Sequence, residues 1–314
     1  MSKKILVTGG AGYVGSVLVP LLLELDYEVK VYDNLMYGVD GLFGSFLYDE
    51  FEFIKGDIRN KQELEKAIDG CDAVVHLAAL VGYPICKKNE READSVNAGG
   101  TRTLIDVAGK EIPIIFASTG SCYGNLEGVC KEDLPLKPLT IYGKTKAQAE
   151  RELRLSGDNF VIYRFATAYG VSPRMRLDLL INDFTYKAVK EKNLIVYEKH
   201  YRRTFIHVFD MARAFVFALE NYGKMKGKIY NVGSKDMNLT KEYIAEYIKK
   251  QTPYCLYFVE DDSMGHDEDV RDYEVDYSRI NKLGYGPKIS LERGVAQLIK
   301  LFRALEIKNI YSNV

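Results

Sequence analysis

Near its amino terminus the chain runs Ile5-Leu6-Val7-Thr8 straight into Gly9-Gly10-Ala11-Gly12-Tyr13-Val14-Gly15, and a helical pattern follows at once. A short apolar strand ended by glycines at this spacing and continued as a helix has few ways to fold. Gly9 and Gly12 are expected at positive φ, which lets backbone approach a pyrophosphate. Gly15 is expected to allow close helix-to-strand packing. The unpaired N–H groups of the helix N-terminus complete a phosphate cradle. A purely structural glycine turn is the competing reading, and context argues against it.

That context is an acid. Asp33 ends the second strand-like run, Glu28 to Asp33, at the distance expected of a dinucleotide-binding unit. A carboxylate there accepts from a ribose 2′-hydroxyl and repels a 2′-phosphate, which favours NAD over NADP. The alternative for Asp33, beside Asn34, is a strand-end turn residue. Asp57, after the third strand, either faces the adenine or serves a turn.

Further strand-like runs at Glu52 to Lys55, Ala73 to Ala78, Ile112 to Ser118 and Phe160 to Phe165 alternate with helical patterns. This rhythm predicts an α/β fold, a Rossmann-type, doubly wound parallel sheet. Ala73-Val74-Val75 and Ile112-Pro113-Ile114-Ile115-Phe116 are continuously apolar, as strands covered on both faces should be. Beyond Phe165 the pattern loosens into a helix near 177–190, strands near 194–197 and 204–208, and a helix near 209–220. There follow a strand at 229–232, a helix whose cap is Thr240, a strand at 255–259 and a closing helix near 290–305. A smaller mixed α/β carboxy-terminal lobe is expected. The cofactor domain is assigned to 1–166 and about 204–236, and the substrate lobe to about 167–203 and 237–314.

The charge balance, 43 Lys+Arg against 44 Asp+Glu, offers no broad cationic field, so nucleic acid is not expected as a partner. The 5 cysteines are an odd number without CxxC spacing. This argues against a metal site and a disulfide framework, and for a reducing cytoplasm. No signal peptide or membrane span is evident.

Tyr142 and Lys146 lie four apart where good helix formers begin, one turn apart on one face. A phenol with a pKa near ~10 is the wrong species for a base at neutral pH, and a nearby ammonium favours the phenolate. In a chain with 23 tyrosines such a pair alone would be unremarkable surface. However, the fifth strand ends at Ser118-Thr119-Gly120-Ser121, placing a hydroxyl at the rim where open α/β sheets bind ligands.

With these residues assembled, the chain resembles the extended short-chain dehydrogenases/reductases of the nucleotide-sugar epimerase and dehydratase family. The likeness rests on the Gly9–Gly15 loop, Asp33, Asp57-Ile58, His76-Leu77-Ala78-Ala79, Asn97, Thr119, Tyr142, Lys146 and Arg203-Thr-Phe-Ile-His-Val208. It implies NAD held along Tyr13, Val14, Asn34, Ile58, Leu77, Ala78, Ala79 and Asn97. Tyr142 would be the base for a sugar hydroxyl, Lys146 would bond the nicotinamide ribose, and Thr119 would orient the hydroxyl. His76 matches a structural position. Relatives pair through the helices near 91–108 and 142–155, so a homodimer or higher homo-oligomer is expected. Leu104, Ala108, Ala147 and Leu153 could serve that interface or face the sheet.

The substrate implied is a nucleotide-diphosphate sugar. Guanidinium forks suit its phosphates: Arg203 and Arg271 match family positions, and Arg174 and Arg176 follow a turn in the same half. Thr167 stands where many relatives have Asn. Dehydratases of the family carry an Asp-Glu pair where this chain has Gly120 and Ser121. Without that acid, water elimination lacks its proton donor. The expected reaction is hydride removal from C4 to give a 4-keto sugar nucleotide. A general similarity through Val81-Gly-Tyr-Pro84 and Ser172 to Arg176 suggests a GDP-heptose 4-dehydrogenase of capsule biosynthesis. The alternatives are a UDP-glucose 4-epimerase-like enzyme and a non-catalytic NAD-sensing module.

Overall fold

The computed structural model describes residues 3–124, 126, 128–259, 274–305 and 313. Its first half contains β1 (Lys4–Thr8), α1 (Gly15–Glu24), β2 (Glu28–Asp33), β3 (Phe51–Lys55), β4 (Ala73–His76), β5 (Ile114–Thr119), β6 (Val129–Cys130) and β7 (Phe160–Phe165). Helices Lys61–Ile68, Gly100–Ala108 and Ile141–Ser156 lie between them. The later strands are β8 (Thr167–Tyr169), β9 (Asn193–Tyr197), β10 (Arg202–His207), β11 (Lys228–Val232), β12 (Asn238–Thr240), β13 (Cys255–Val259) and β14 (Glu274–Val275).

Seven strands form one parallel sheet in the order β11-β7-β5-β4-β1-β2-β3. Its two faces are sorted by the two-residue period of a strand. Ile5, Val7, Val75, Ile115, Val161 and Tyr163 pack with Leu18 and Leu22 of α1 and with Phe215 of helix Val208–Glu220. Leu6, Val74, Phe116 and Ile162 pack on the other side with Leu64, Leu104, Ala149 and Leu153. Burial on both faces explains the unbroken apolar runs. The chain builds β1, β2 and β3 outward and then returns to place β4 on the other side of β1. The order therefore reverses between β1 and β4, where open α/β sheets leave a crevice at the strands' carboxyl ends.

A separate core lies among Met175, Ile181, Phe184, Leu194, Phe205, Ile244, Leu298 and Phe302. It is framed by the β12-β10-β8 and β13-β9 sheets. β8 continues β7 after one residue, so this unit begins at the same rim. Thr240 caps helix Lys241–Gln251, accepting from the Tyr243 N–H at 3.0 Å, and Ser290 caps helix Leu291–Ala304 through the Arg293 N–H. Among the described residues no helix is long and apolar enough to cross a membrane. Leu104, Ala108 and Leu153 are buried against the sheet, so of the four residues considered for a helical interface only Ala147 stays partly accessible.

Candidate active site

At the reversal point lies a cavity of about 320 Å³, lined from both units. Its first wall is the glycine loop. Gly9 has φ of +73°, and a Cβ there would stand 2.5 Å from the Ala78 nitrogen, so the loop after β1 presses on the loop after β4. The other two glycines act differently from expectation. Gly12 does not have positive φ; its added Cβ would meet the Gly9 carbonyl oxygen at 3.2 Å. Gly15 is required by its own loop rather than by strand packing, because a Cβ would lie 2.4 Å from the Gly10 carbonyl oxygen. α1 has no side-chain cap. A helix start of that kind is suited to an anion from outside the chain.

Asp33 reaches into this wall, accepting from the Ala11 N–H at 3.0 Å and the Leu35 N–H at 2.8 Å. It is therefore both a turn residue and a cavity carboxylate. Burial raises its pKa, and the two N–H donors oppose the rise. Asn34 accepts from the Met36 N–H and also lines the cavity. Asp57 lines it too, but its carboxylate is paired with Arg59 at 2.6 Å, which lowers its pKa. Tyr13, Val14, Ile58, Leu77, Ala78 and Ala79 complete the surface. A glycine loop that no larger residue could form, a bare helix start and a carboxylate beside them fit the phosphates and ribose of a dinucleotide.

Asn97 is a correction. It is 1% exposed and does not line the cavity. Its amide grips the Leu80 backbone on both sides, at 2.8 and 3.0 Å, and donates to Thr145 Oγ1 at 3.0 Å. Thr145 in turn donates to the Tyr142 carbonyl. Asn97 thus fixes the rim relative to the Tyr142 turn. His76 is likewise satisfied, with Nδ1 2.7 Å from Thr8 Oγ1 and Nε2 3.0 Å from Thr101 Oγ1. Burial lowers its pKa to about 3, so it stays neutral.

Thr140 caps helix Ile141–Ser156 through the Gly143 N–H, placing Tyr142 and Lys146 in its first turns. Both line the cavity together with Thr119, Gly120 and Ser121. Burial dominates both groups, pushing the Tyr142 phenol above its ordinary range and the Lys146 ammonium down to about 8. Lys146 Nζ sits 4.0 Å from the centroid of Phe116, while the cation opposing burial at Tyr142 is Arg176, aided by a hydrogen bond with Thr119. Behind the helix, Glu150 accepts from Ser118 at 2.5 Å and forms a buried pair with Arg164 at 2.7 Å. Arg164 continues to the Tyr123 hydroxyl, which donates to Asn231. This chain of bonds ties the helix to β5, β7 and β11.

The far wall comes from the second unit. Thr167 opens β8 and lines the cavity, as do Arg174, Arg176 and Arg203. Arg176 is paired with Asp178 and reaches the Val81 carbonyl. Arg271 lies outside the described residues. Sequence reasoning missed Tyr37, Arg202 and Asn313, which also line the cavity. Arg202 directly precedes Arg203 on β10, where strand alternation alone would send its side chain to the opposite face. No group of metal-ligating side chains occurs among the described residues.

Comparison with known proteins agrees with this geometry. Residues 5–233 match the model of the NAD dependent epimerase/dehydratase family. The chain is 29% identical over 309 residues to a putative UDP-glucose 4-epimerase of Methanocaldococcus jannaschii, covering 94% of this chain and 97% of that one. It is 30% identical to a dTDP-glucose 4,6-dehydratase of Streptomyces niveus, over 96% and 93% of the two chains. The crystal structure of the Bacillus cereus UDP-glucuronic acid 4-epimerase with UDP-glucuronic acid and NAD superposes with a TM-score of 0.85. That structure is 28% identical, over 96% of this chain and 100% of that one.

Proposed function

The chain belongs to the NAD-dependent epimerase/dehydratase family, and from that premise we propose that it oxidises C4 of a nucleotide-diphosphate sugar to the 4-keto level. The observation that carries this reading is the meeting of Tyr142, Thr119 and Lys146 with the dinucleotide cradle in one cavity. NAD, when bound, supplies the hydride acceptor. Tyr142 accepts the proton of the C4 hydroxyl, and Thr119 holds that hydroxyl in line. Lys146, one turn on, bonds the nicotinamide ribose and keeps positive charge beside the phenol as it ionises. Since burial alone disfavours the phenolate, Arg176 is the group that offsets it from the substrate side.

Elimination of water is disfavoured. Gly120 and Ser121 occupy the positions beside Thr119, and neither offers an acid to protonate a departing hydroxyl. Two outcomes follow from a 4-keto sugar: its release, which makes the chain a net 4-dehydrogenase, and return of hydride to its other face, which makes it a 4-epimerase. The proposed residue roles are common to both, and the 4-epimerase names among the relatives support the second. The division of labour proposed is cofactor on 1–166 and about 204–236, and sugar nucleotide on about 167–203 and 237–314, with Arg203 and Arg271 on its diphosphate.

Purified protein incubated with NAD and a panel of UDP-, GDP- and dTDP-sugars, a GDP-heptose among them, separates the outcomes. Reduced nicotinamide together with a keto sugar in solution supports net oxidation, and a C4 epimer without net reduction supports epimerisation. Turnover unchanged in Tyr142→Phe would remove the proposed base.

A further inference from the structure

Arg174 stands apart from the other cations of the cavity. It is 4% exposed and lines the cavity, yet neither Nε nor Nη2 has a hydrogen-bond partner. Its neighbour Arg176 is matched by Asp178, whereas Arg174 spends only Nη1, on the Met175 carbonyl at 2.9 Å. The idle atoms are the two that form one edge of the guanidinium, the edge that grips a phosphate with parallel N–H bonds. Leaving such a cation buried without an acceptor is costly. Desolvation lowers its pKa, with Arg176 adding to the effect.

The anchorage of Arg174 says which side of the cavity it serves. Although it belongs to the loop after β8, its backbone N–H donates to Ser16 Oγ at 3.3 Å, in the first turn of α1. Ser16 Oγ is 2.9 Å from Ser172 Oγ, and Ser172 donates to the Tyr13 carbonyl at 2.7 Å. The guanidinium carbon lies 4.2 Å from the centroid of Tyr37, in the loop after β2, and the Tyr37 hydroxyl is also buried without a partner. A Cβ on Gly41 would come 3.3 Å from Arg174 Cβ. Arg174 is therefore rooted at the N-terminus of α1, beside the glycine loop.

We propose that Arg174 and Tyr37 clamp the pyrophosphate of the dinucleotide, the edge of Arg174 donating twice and the Tyr37 hydroxyl once. Arg174 is thereby moved from the sugar nucleotide to the cofactor. Its loop becomes a strap from the substrate unit across the cofactor, so that retention of NAD depends on both units. The inference rests on NAD occupying the glycine cradle and is independent of the reaction at C4.

Calorimetric titration of the nucleotide-stripped full chain with NAD, ADP-ribose and adenosine tests it. Arg174→Met is expected to weaken NAD and ADP-ribose by about tenfold or more, as for charge-assisted hydrogen bonds, and adenosine little. Arg174→Lys should recover part of the loss, and Tyr37→Phe should show a smaller loss with the same selectivity. Unchanged NAD and ADP-ribose affinity in Arg174→Met overturns the clamp. A loss confined to UDP, GDP or dTDP binding on the NAD-loaded protein would overturn it too, assigning Arg174 to the substrate's diphosphate. If Arg174→Met melts early, Tyr37→Phe decides: equal losses for ADP-ribose and adenosine, or none, count against the proposal.

Discussion

The two walls of the cavity are built by different means. On the cofactor side, glycines without room for a Cβ and a helix start do most of the shaping, and only Asp33 contributes a charged side chain from the first two strands. On the substrate side the surface is side chains: Thr167, Arg176, Arg202 and Arg203, drawn from β8, β10 and the segment that follows β8. A wall of backbone recognises what every dinucleotide shares, whereas a wall of side chains can be changed one residue at a time. The names of the relatives carry different sugars and reactions.

Perturbing the side chain that faces both walls should have the largest effect. Tyr142→Phe is expected to lower kcat by about 10²–10⁴-fold, the usual scale for a lost general base, with NAD affinity unchanged by titration. Next comes the buried support. Glu150→Gln leaves Arg164, 2% exposed, without its counter-charge, which should cost about 3–5 kcal/mol in urea unfolding. Replacing both residues by apolar ones should recover much of that loss.

A smaller effect is expected at the cofactor wall. Asp33→Ala should weaken NAD by about 1.5–3 kcal/mol, the range for hydrogen bonds to charged groups, and narrow its preference over NADP. Equal NAD affinity in the two proteins would assign Asp33 to its turn alone. The subtlest test is pH. Lys146 has a folded pKa of about 8 against an ordinary 10.5, so between these values the unfolded chain binds more protons. The penalty of a buried ammonium is present in full below about pH 8 and fades toward pH 10.5. Stability of the ligand-free protein should thus rise across that window relative to Lys146→Met, followed by urea midpoints at each pH.

What could be read from the sequence follows the same division. The cradle, Asp33, and the Tyr142–Lys146 pair are local patterns whose spacing is set by one strand, one loop or one helical turn. Asn97 shows the limit: an asparagine gripping Leu80 looks no different in sequence from one gripping a ligand. The balance of charge at Tyr142 was also out of reach, because burial is set by tertiary packing and the opposing cation, Arg176, comes from a loop far along the chain. Tyr37 carried no signal, being brought to the cavity by tertiary packing, and strand alternation argued against Arg202 beside Arg203.

The position of β11 has a consequence for synthesis of the chain. β7 is buried at all six residues and paired with β11 along its outer edge, yet β11 is translated only after β8, β9, β10 and helix Val208–Glu220. During that interval the nascent sheet presents an unprotected, mostly apolar edge strand, the kind that recruits other chains. Fragments ending near residue 200 should accordingly precipitate, whereas the full chain closes its own edge as soon as residue 232 leaves the ribosome.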